Sequence, residues 1–147
     1  MPASKRHRVL AAPVEEVWAT VGDPYHLPRW WPKVARVEQV SEGAFTEVLR
    51  TAKGSTVRAD FKLLELREPE RIAWRQVTEG TPFERLLRHA DTTIALRPVD
   101  GGTRVDLRLE QKLRGLSRFG GFMVSGAGRR VLDEALDGLE ALHGRRG

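Results

Sequence analysis

A few histidines and carboxylates are the side chains of this sequence that could move protons near neutral pH. The four histidines are His7, His26, His89 and His143. His89 lies in the middle of a predicted strand and is the candidate for acid–base chemistry, whereas His7 and His143 lie near the ends of the chain. The carboxylates that could act beside it are Glu47, Asp60, Glu84 and Asp91. Nothing in their spacing selects one of them.

Several other kinds of chemistry lack their sequence signatures. The chain contains no cysteine, no HExxH motif and no pair of histidines at metal-ligand spacing, so we expect no metal site and no cofactor. Ser125 is not within a G-x-S-x-G elbow. The glycines near residues 120–128 do not follow a strand as a nucleotide-binding loop would.

Length and charge favour one domain that binds neither nucleic acid nor a membrane. The 147 residues fit a single domain over 1–147, and the net charge of +5 comes from basic and acidic residues that alternate along the chain. No apolar run approaches the roughly 18 residues of a membrane span. The basic start precedes an apolar run too short for a signal peptide, and absent cysteine permits a reducing compartment. We therefore expect a cytoplasmic protein without integral membrane association.

The first third of the chain predicts one strand and two short helices. Residues 4–11 alternate weakly as a strand, and Pro13 suits the first turn of a helix that ends before Asp23-Pro24. One face of this helix is apolar, and Trp18 on it is expected to be ordinary core. Residues 25–31 predict a second short helix, interrupted by Pro28.

The rest of the chain predicts six more strands and one long helix. Alternation with a period of two covers residues 34–40, 44–51, 56–67, 71–78, 83–98 and 103–113, and Asp100-Gly101-Gly102 is the strongest hairpin signal. A shift of the apolar phase to Leu64 and Leu66 predicts a bulge or bend. Residues 117–143 have helical spacing. The expected apolar stripe of this helix is Phe119, Met123, Ala127, Val131, Ala135, Leu139 and Leu142.

Three segments together resemble a known superfamily. They are APVEEVW at 12–18, DPYHLPRWWP at 23–32 and RVLDEAL at 130–136. With this order of elements, the chain resembles the START/Bet v 1-like (SRPBCC) superfamily, and in particular its polyketide cyclase/dehydrase-like branch. The resemblance covers residues 4–143. It implies an α+β helix-grip fold, in which a curved seven-stranded antiparallel sheet carries two short helices after strand one and a long C-terminal helix over its concave face.

A curved sheet covered by one helix encloses a cavity unless large side chains fill it. Aromatic residues and two polar ones on the inward phase are the candidate ligand-binding residues. They are Trp30, Trp31, Phe61, Trp74, Gln76, Arg88, Phe119, Phe122 and Met123. Of the two tryptophans at the exit of the second helix, we expect one to pack inside and the other at the rim. Glycines between residues 115 and 128 either thin the helix wall for a ligand or pack closely on the sheet.

These features favour binding of an apolar or aromatic small molecule, lipid- or polyketide-like, between the sheet and the long helix. The resemblance implies an alternative, a cyclase or aromatase that steers aldol cyclisation and dehydration, with His89 or Arg88 and a carboxylate moving protons. A second alternative is a protein-interaction module with a filled core. We expect a monomer or a weak homodimer.

Overall fold

The computed structural model describes residues 3–85, 87–113 and 121–144. Strand β1 (Ala3–Leu10) leads into helix α1 (Val14–Val21), a 3₁₀ turn (Pro24–His26) and helix α2 (Leu27–Trp30). Strands β2 (Val34–Ser41), β3 (Ala44–Arg50), β4 (Thr56–Arg67) and β5 (Arg71–Val77) follow in a meander. A second 3₁₀ turn (Pro82–Arg85) precedes β6 (Leu87–Val99) and β7 (Gly102–Leu113), and helix α3 (Gly121–His143) comes last.

All seven strands form one antiparallel sheet in the order β1-β7-β6-β5-β4-β3-β2. The sheet curves around α3, so the predicted α+β helix-grip architecture is confirmed. The predicted hairpin at residues 100–102 joins β6 to β7, and Gly101 has a left-handed φ of 83° that this turn requires. The predicted bulge is present between Leu63 and Glu65, and it leaves Leu64 and Leu66 exposed.

The second half of α3 seals one end of the concave face. Leu132, Ala135, Leu136 and Leu139 are completely buried in the core that they share with α1, α2 and the sheet. Charged contacts fasten the same half to β1, since Arg8 donates to Asp137 at 2.6 Å and to Glu140 at 2.8 Å. This half of the helix therefore acts as the fixed side of the site.

The expected stripe of α3 is partly wrong. Leu142 is 46% exposed and Val131 only half-buried, whereas Leu132 and Leu136, which the stripe left out, are fully buried. Repeated steps of four residues drift about 40° per step around a helix of 3.6 residues per turn. A buried face instead alternates steps of three and four residues. Phe119 lies outside the described residues, as do the side chains of Met123 and Ala127.

Two other predicted boundaries differ from the structure. Phe83 was expected inside the sixth strand, but it lies in the 3₁₀ turn before β6 begins at Leu87. The predicted start of the long helix, at residue 117, falls outside the described residues.

Two glycines of α3 mark close packing. A Cβ at Gly138 would lie 2.5 Å from the carbonyl oxygen of Trp30, and one at Gly128 would lie 2.6 Å from the hydroxyl of Ser4. At these two positions the glycine allows the helix to approach its neighbours. Gly128 agrees with the packing alternative expected for the glycines between residues 115 and 128, whereas Gly138 lies outside that set.

Gly138→Ala is predicted to destabilise the protein by about 1–3 kcal/mol, because the new methyl group must push α3 away from the backbone of Trp30. Helix propensity alone would change stability in the opposite direction by about 1 kcal/mol. Urea unfolding measures the sign of the change in the free energy of unfolding. Gly43→Ala is the matched control, because no atom lies within 4 Å of its added Cβ. A stability gain in Gly138→Ala would contradict the close contact.

Candidate functional site

A pocket of about 380 Å³ lies between the concave face of the sheet and α3. Strands β3 to β7 form its floor, and α3 covers it with Arg130, Val131 and Glu134. The segment after α2 closes a further side with Trp31, Pro32 and Lys33. The volume is near the lower end of the roughly 300–1,000 Å³ typical of small-molecule sites.

Aromatic rings form one wall of this pocket. Trp31, Phe61, Trp74 and Phe83 line it. Phe45 supports this wall, stacking on Phe61 at 5.2 Å between ring centroids and meeting Trp74 edge-on at 5.7 Å. Trp31 contacts the edge of Trp74 at 6.4 Å. These contacts orient Trp31, Phe61 and Trp74 relative to one another, so the three rings present a connected apolar surface.

The two adjacent tryptophans have different positions. Trp30 is 3% exposed, belongs to the core and packs under α3 at Gly138. Trp31 is half-buried and lines the pocket. Their rings meet edge-to-face at 5.4 Å, so the core residue also positions the pocket residue.

Glu47 is a carboxyl group inside this largely apolar pocket. It lies on β3 opposite Ala59 of β4, on the same face as Phe45 and Leu49, and its residue is only 4% exposed. No hydrogen bond or ion pair joins its side chain to another residue within the described ranges. Burial therefore raises the pKa of the Glu47 carboxyl from its ordinary 4.5 to about 8.

Three uncharged polar side chains line the pocket as well. Gln76 lies on β5 opposite Phe61 and Ala90, and its amide nitrogen Nε2 is buried without a hydrogen-bond partner among the described residues. Thr92 on β6 and Gln111 on β7 complete the polar part of the lining. The interior thus combines aromatic surface with a few groups able to orient a ligand.

The mouth of the pocket is mostly basic. Lys33, Arg50 and Arg130 line it together with the carboxylate of Glu134. The backbone of Lys33 has a left-handed φ of 65°, and its carbonyl accepts a hydrogen bond of 2.8 Å from the Arg50 amide. This bond fixes the loop between α2 and β2 against the end of β3.

Two residues weighed for chemistry lie elsewhere. Arg88 is exposed and lines a separate depression on the outer face of the sheet, where the register shift between Leu87 and His89 offsets it from Ala90. His89 lines that depression too, and its Nδ1 lies 3.6 Å from the Asp91 carboxylate, which Arg75 holds with two hydrogen bonds. The structure therefore does not bring either residue to the aromatic pocket.

The remaining predicted site residues are on α3 or just before it. Phe119 lies outside the described residues, and so do the side chains of Phe122 and Met123. In the described part of the chain, no group of three or more histidine, aspartate or glutamate side chains is placed to hold a metal ion.

Glu47 is the pocket residue that sequence reasoning did not single out. It was one of four carboxylates between which spacing could not choose. The available signal was its phase, since Phe45, Glu47 and Leu49 alternate with Thr46 and Val48 along β3. An ionisable residue in phase with apolar neighbours on a strand indicates a side chain directed at the core.

The chain belongs to the family described as polyketide cyclase/dehydrase and lipid transport, whose model matches residues 1–144. This assignment confirms the resemblance derived from the three sequence segments. The family description names both an enzymatic and a transport activity. No curated protein matches the chain in sequence.

Solved structures share the fold at low sequence identity. Protein CV1439 from Chromobacterium violaceum is 24% identical with a TM-score of 0.77, and the match covers 99% of both chains. A START superfamily protein from Mycobacterium smegmatis is 14% identical with a TM-score of 0.78, covering 96% of both. The di-domain ARO/CYC protein BexL of the BE-7585A biosynthetic pathway is 23% identical with a TM-score of 0.79, covering 96% of this chain and 46% of BexL. At such identities the likeness concerns the fold alone.

Within the described residues, none of the helices combines the length and apolar character needed to cross a membrane.

Glu47→Gln is predicted to stabilise the protein at pH 9 by on the order of a few kcal/mol, and to have little effect at pH 4. With the folded pKa raised to about 8 and the unfolded value at 4.5, the folded state binds the extra proton between these values. The wild-type protein therefore loses stability as the pH rises from 4.5 to 8, and the amide removes this loss. Melting temperatures of both proteins across pH 4–9 measure the effect.

Glu134→Gln at the exposed mouth is the matched control and should not alter the pH profile. Parallel melting curves for wild type and Glu47→Gln at every pH would contradict the buried, neutral state of Glu47.

Proposed function

We propose that this protein binds an apolar or aromatic small molecule, lipid- or polyketide-like, in the pocket between the sheet and α3. The observation that carries this proposal is the aromatic wall of Trp31, Phe61, Trp74 and Phe83 around about 380 Å³ of space. Apolar surface removed from water on such a wall contributes about 25 cal/mol per Å² to ligand binding. Membership in a family described by lipid transport as well as cyclisation supports the same activity.

The residues of the proposed site are a subset of those expected from the sequence, together with Glu47. Trp31, Phe61 and Trp74 supply apolar contact, and Gln76 supplies polarity. Trp30 supports Trp31 from the core, and Arg88 is left out because it lies on the outer face. The cytoplasmic location and the monomeric or weakly dimeric state stay predictions.

A second candidate function is a cyclase or aromatase, and Glu47 is the observation that favours it. A carboxyl group whose pKa is raised to about 8 can give up or take a proton near neutral pH. Beside a bound polyketone it would protonate a carbonyl oxygen or accept a proton from the adjacent carbon, while the aromatic wall holds the chain folded for intramolecular attack. In this alternative Glu47 takes the role that sequence reasoning gave to His89.

The third possibility, a protein-interaction module, requires a filled core. The pocket of about 380 Å³ is evidence against a filled core. It therefore favours a small-molecule binder over an interaction module.

Val57→Trp tests the proposal by filling the pocket. Val57 is half-buried and lines the pocket, so an indole at this position occupies ligand space without displacing the core. We predict that the dissociation constant for 1-anilinonaphthalene-8-sulfonate, a fluorescent apolar probe, rises at least about tenfold in this variant. Fluorescence titration measures the affinity, and the melting temperature should change little.

Val77→Trp is the matched control, because Val77 carries the same side chain on the outer face of β5. Equal affinity of both variants for the probe would place the binding site outside the pocket and contradict the proposal.

A further inference from the structure

Two polar groups of the pocket have no partner within the described part of the protein. The Glu47 carboxyl is 4% exposed and forms no hydrogen bond or ion pair there. The Gln76 Nε2 is buried and also lacks a hydrogen-bond acceptor. Buried polar groups in folded proteins are nearly always paired, because an unmade hydrogen bond costs their full desolvation. Both groups line the space assigned to a ligand, so a ligand could complete them.

Each of the two groups offers an uncharged hydrogen-bond donor to the pocket. Burial favours the protonated form of Glu47 at neutral pH, and a carboxylic acid donates through its hydroxyl. The Gln76 amide nitrogen donates as well. The complementary ligand group is a neutral oxygen acceptor, of which a ketone carbonyl is the simplest.

Strand register places these donors on the same floor of the pocket. Glu47 pairs with Ala59, two residues before Phe61 on β4, and Phe61 pairs with Gln76 on β5. Two strand spacings and two residues along a strand separate the Cα atoms by roughly 12 Å. Glu47, Gln76 and Phe61 all line the pocket, so both donors face the same ligand space beside an aromatic ring.

The charges at the mouth argue against a cationic ligand. Lys33, Arg50 and Arg130 oppose the entry of a cation, and Glu134 is the carboxylate described beside them.

We propose that Glu47 and Gln76 select uncharged apolar or aromatic molecules that carry a carbonyl oxygen, with the Glu47 carboxylic acid and the Gln76 amide donating hydrogen bonds to the ligand. This inference rests on the proposed pocket function and adds the class of ligand.

A consequence is that affinity for such a ligand falls when Glu47 ionises, since a carboxylate repels a carbonyl oxygen instead of donating to it. The residues opposite Glu47 on β2 and β4, Val37 and Ala59, carry no charge. The charged groups facing the pocket from other elements are Lys33, Arg50, Arg130 and Glu134. A loss of affinity near pH 8 that is abolished in Glu47→Gln therefore reports on Glu47.

A pair of neutral probes of equal shape tests the proposal. The pair is 2-acetylnaphthalene and 2-isopropenylnaphthalene, in which a methylene group replaces the carbonyl oxygen. Equilibrium dialysis at pH 6.5 should give about five- to tenfold tighter binding of the ketone, because the hydrocarbon leaves donors unpaired. At pH 9.5 this preference should shrink or vanish.

Variants assign the preference to the two residues. Glu47→Gln keeps a donor at every pH, so it should retain the preference for the ketone at pH 9.5. Glu47→Leu and Gln76→Leu should each reduce the preference at pH 6.5 while still binding the hydrocarbon, which also shows that the variant is folded. Glu16→Gln, at an exposed position of α1 outside the pocket lining, is the control and should behave as wild type.

The outcomes separate this inference from the function on which it rests. If neither probe binds, the pocket function itself is contradicted. If both bind equally well at pH 6.5, the pocket function stands and the selection by Glu47 and Gln76 is refuted. A preference that survives in both leucine variants likewise refutes it.

Discussion

The packing of α3 against the sheet is the constraint on which the rest of the structure depends. The second half of α3 lies close to α2 and β1, where Gly138 approaches the backbone of Trp30 and Leu136 is completely buried. Towards its first half, Arg130 and Val131 cover space instead of contacting a filled core. The pocket therefore follows from how the helix is fastened at one end.

Inside this pocket, burial of Glu47 disfavours the charged form of its carboxyl group. A carboxyl group surrounded by aromatic and aliphatic side chains stays neutral at a pH where an exposed glutamate is charged. Burying this carboxyl group lowers the stability of the folded protein. Burying the Gln76 Nε2 without a hydrogen-bond partner among the described residues lowers it as well. Groups that weaken the folded state while lining a cavity are typical of functional sites. Both the binding and the cyclase proposals draw on this feature.

Local patterns predicted most of the fold, because each strand repeats an alternation that burial on one face imposes. The bounds of β4 agree with those expected, and the phase of Trp74 and Gln76 places both in the pocket. The failures have physical causes. The bulge between Leu87 and His89, which no local pattern signals, moves Arg88 out of phase with Ala90. The burial of Glu47 depends on the curvature of the sheet, which involves strands distant in sequence. The phase of Glu47 indicates from the sequence that it faces the core, but whether that part of the core is a pocket is a tertiary property.

Native mass spectrometry of the purified protein tests the central claim, that the space under α3 holds a small molecule, most directly. The protein should carry one bound apolar compound, either from its expression host or after incubation with fatty acids, sterols and aromatic polyketides. Collisional activation should release that compound for identification by its mass. Spectra that contain only the bare protein under all these conditions would contradict the account and favour a search for partner proteins.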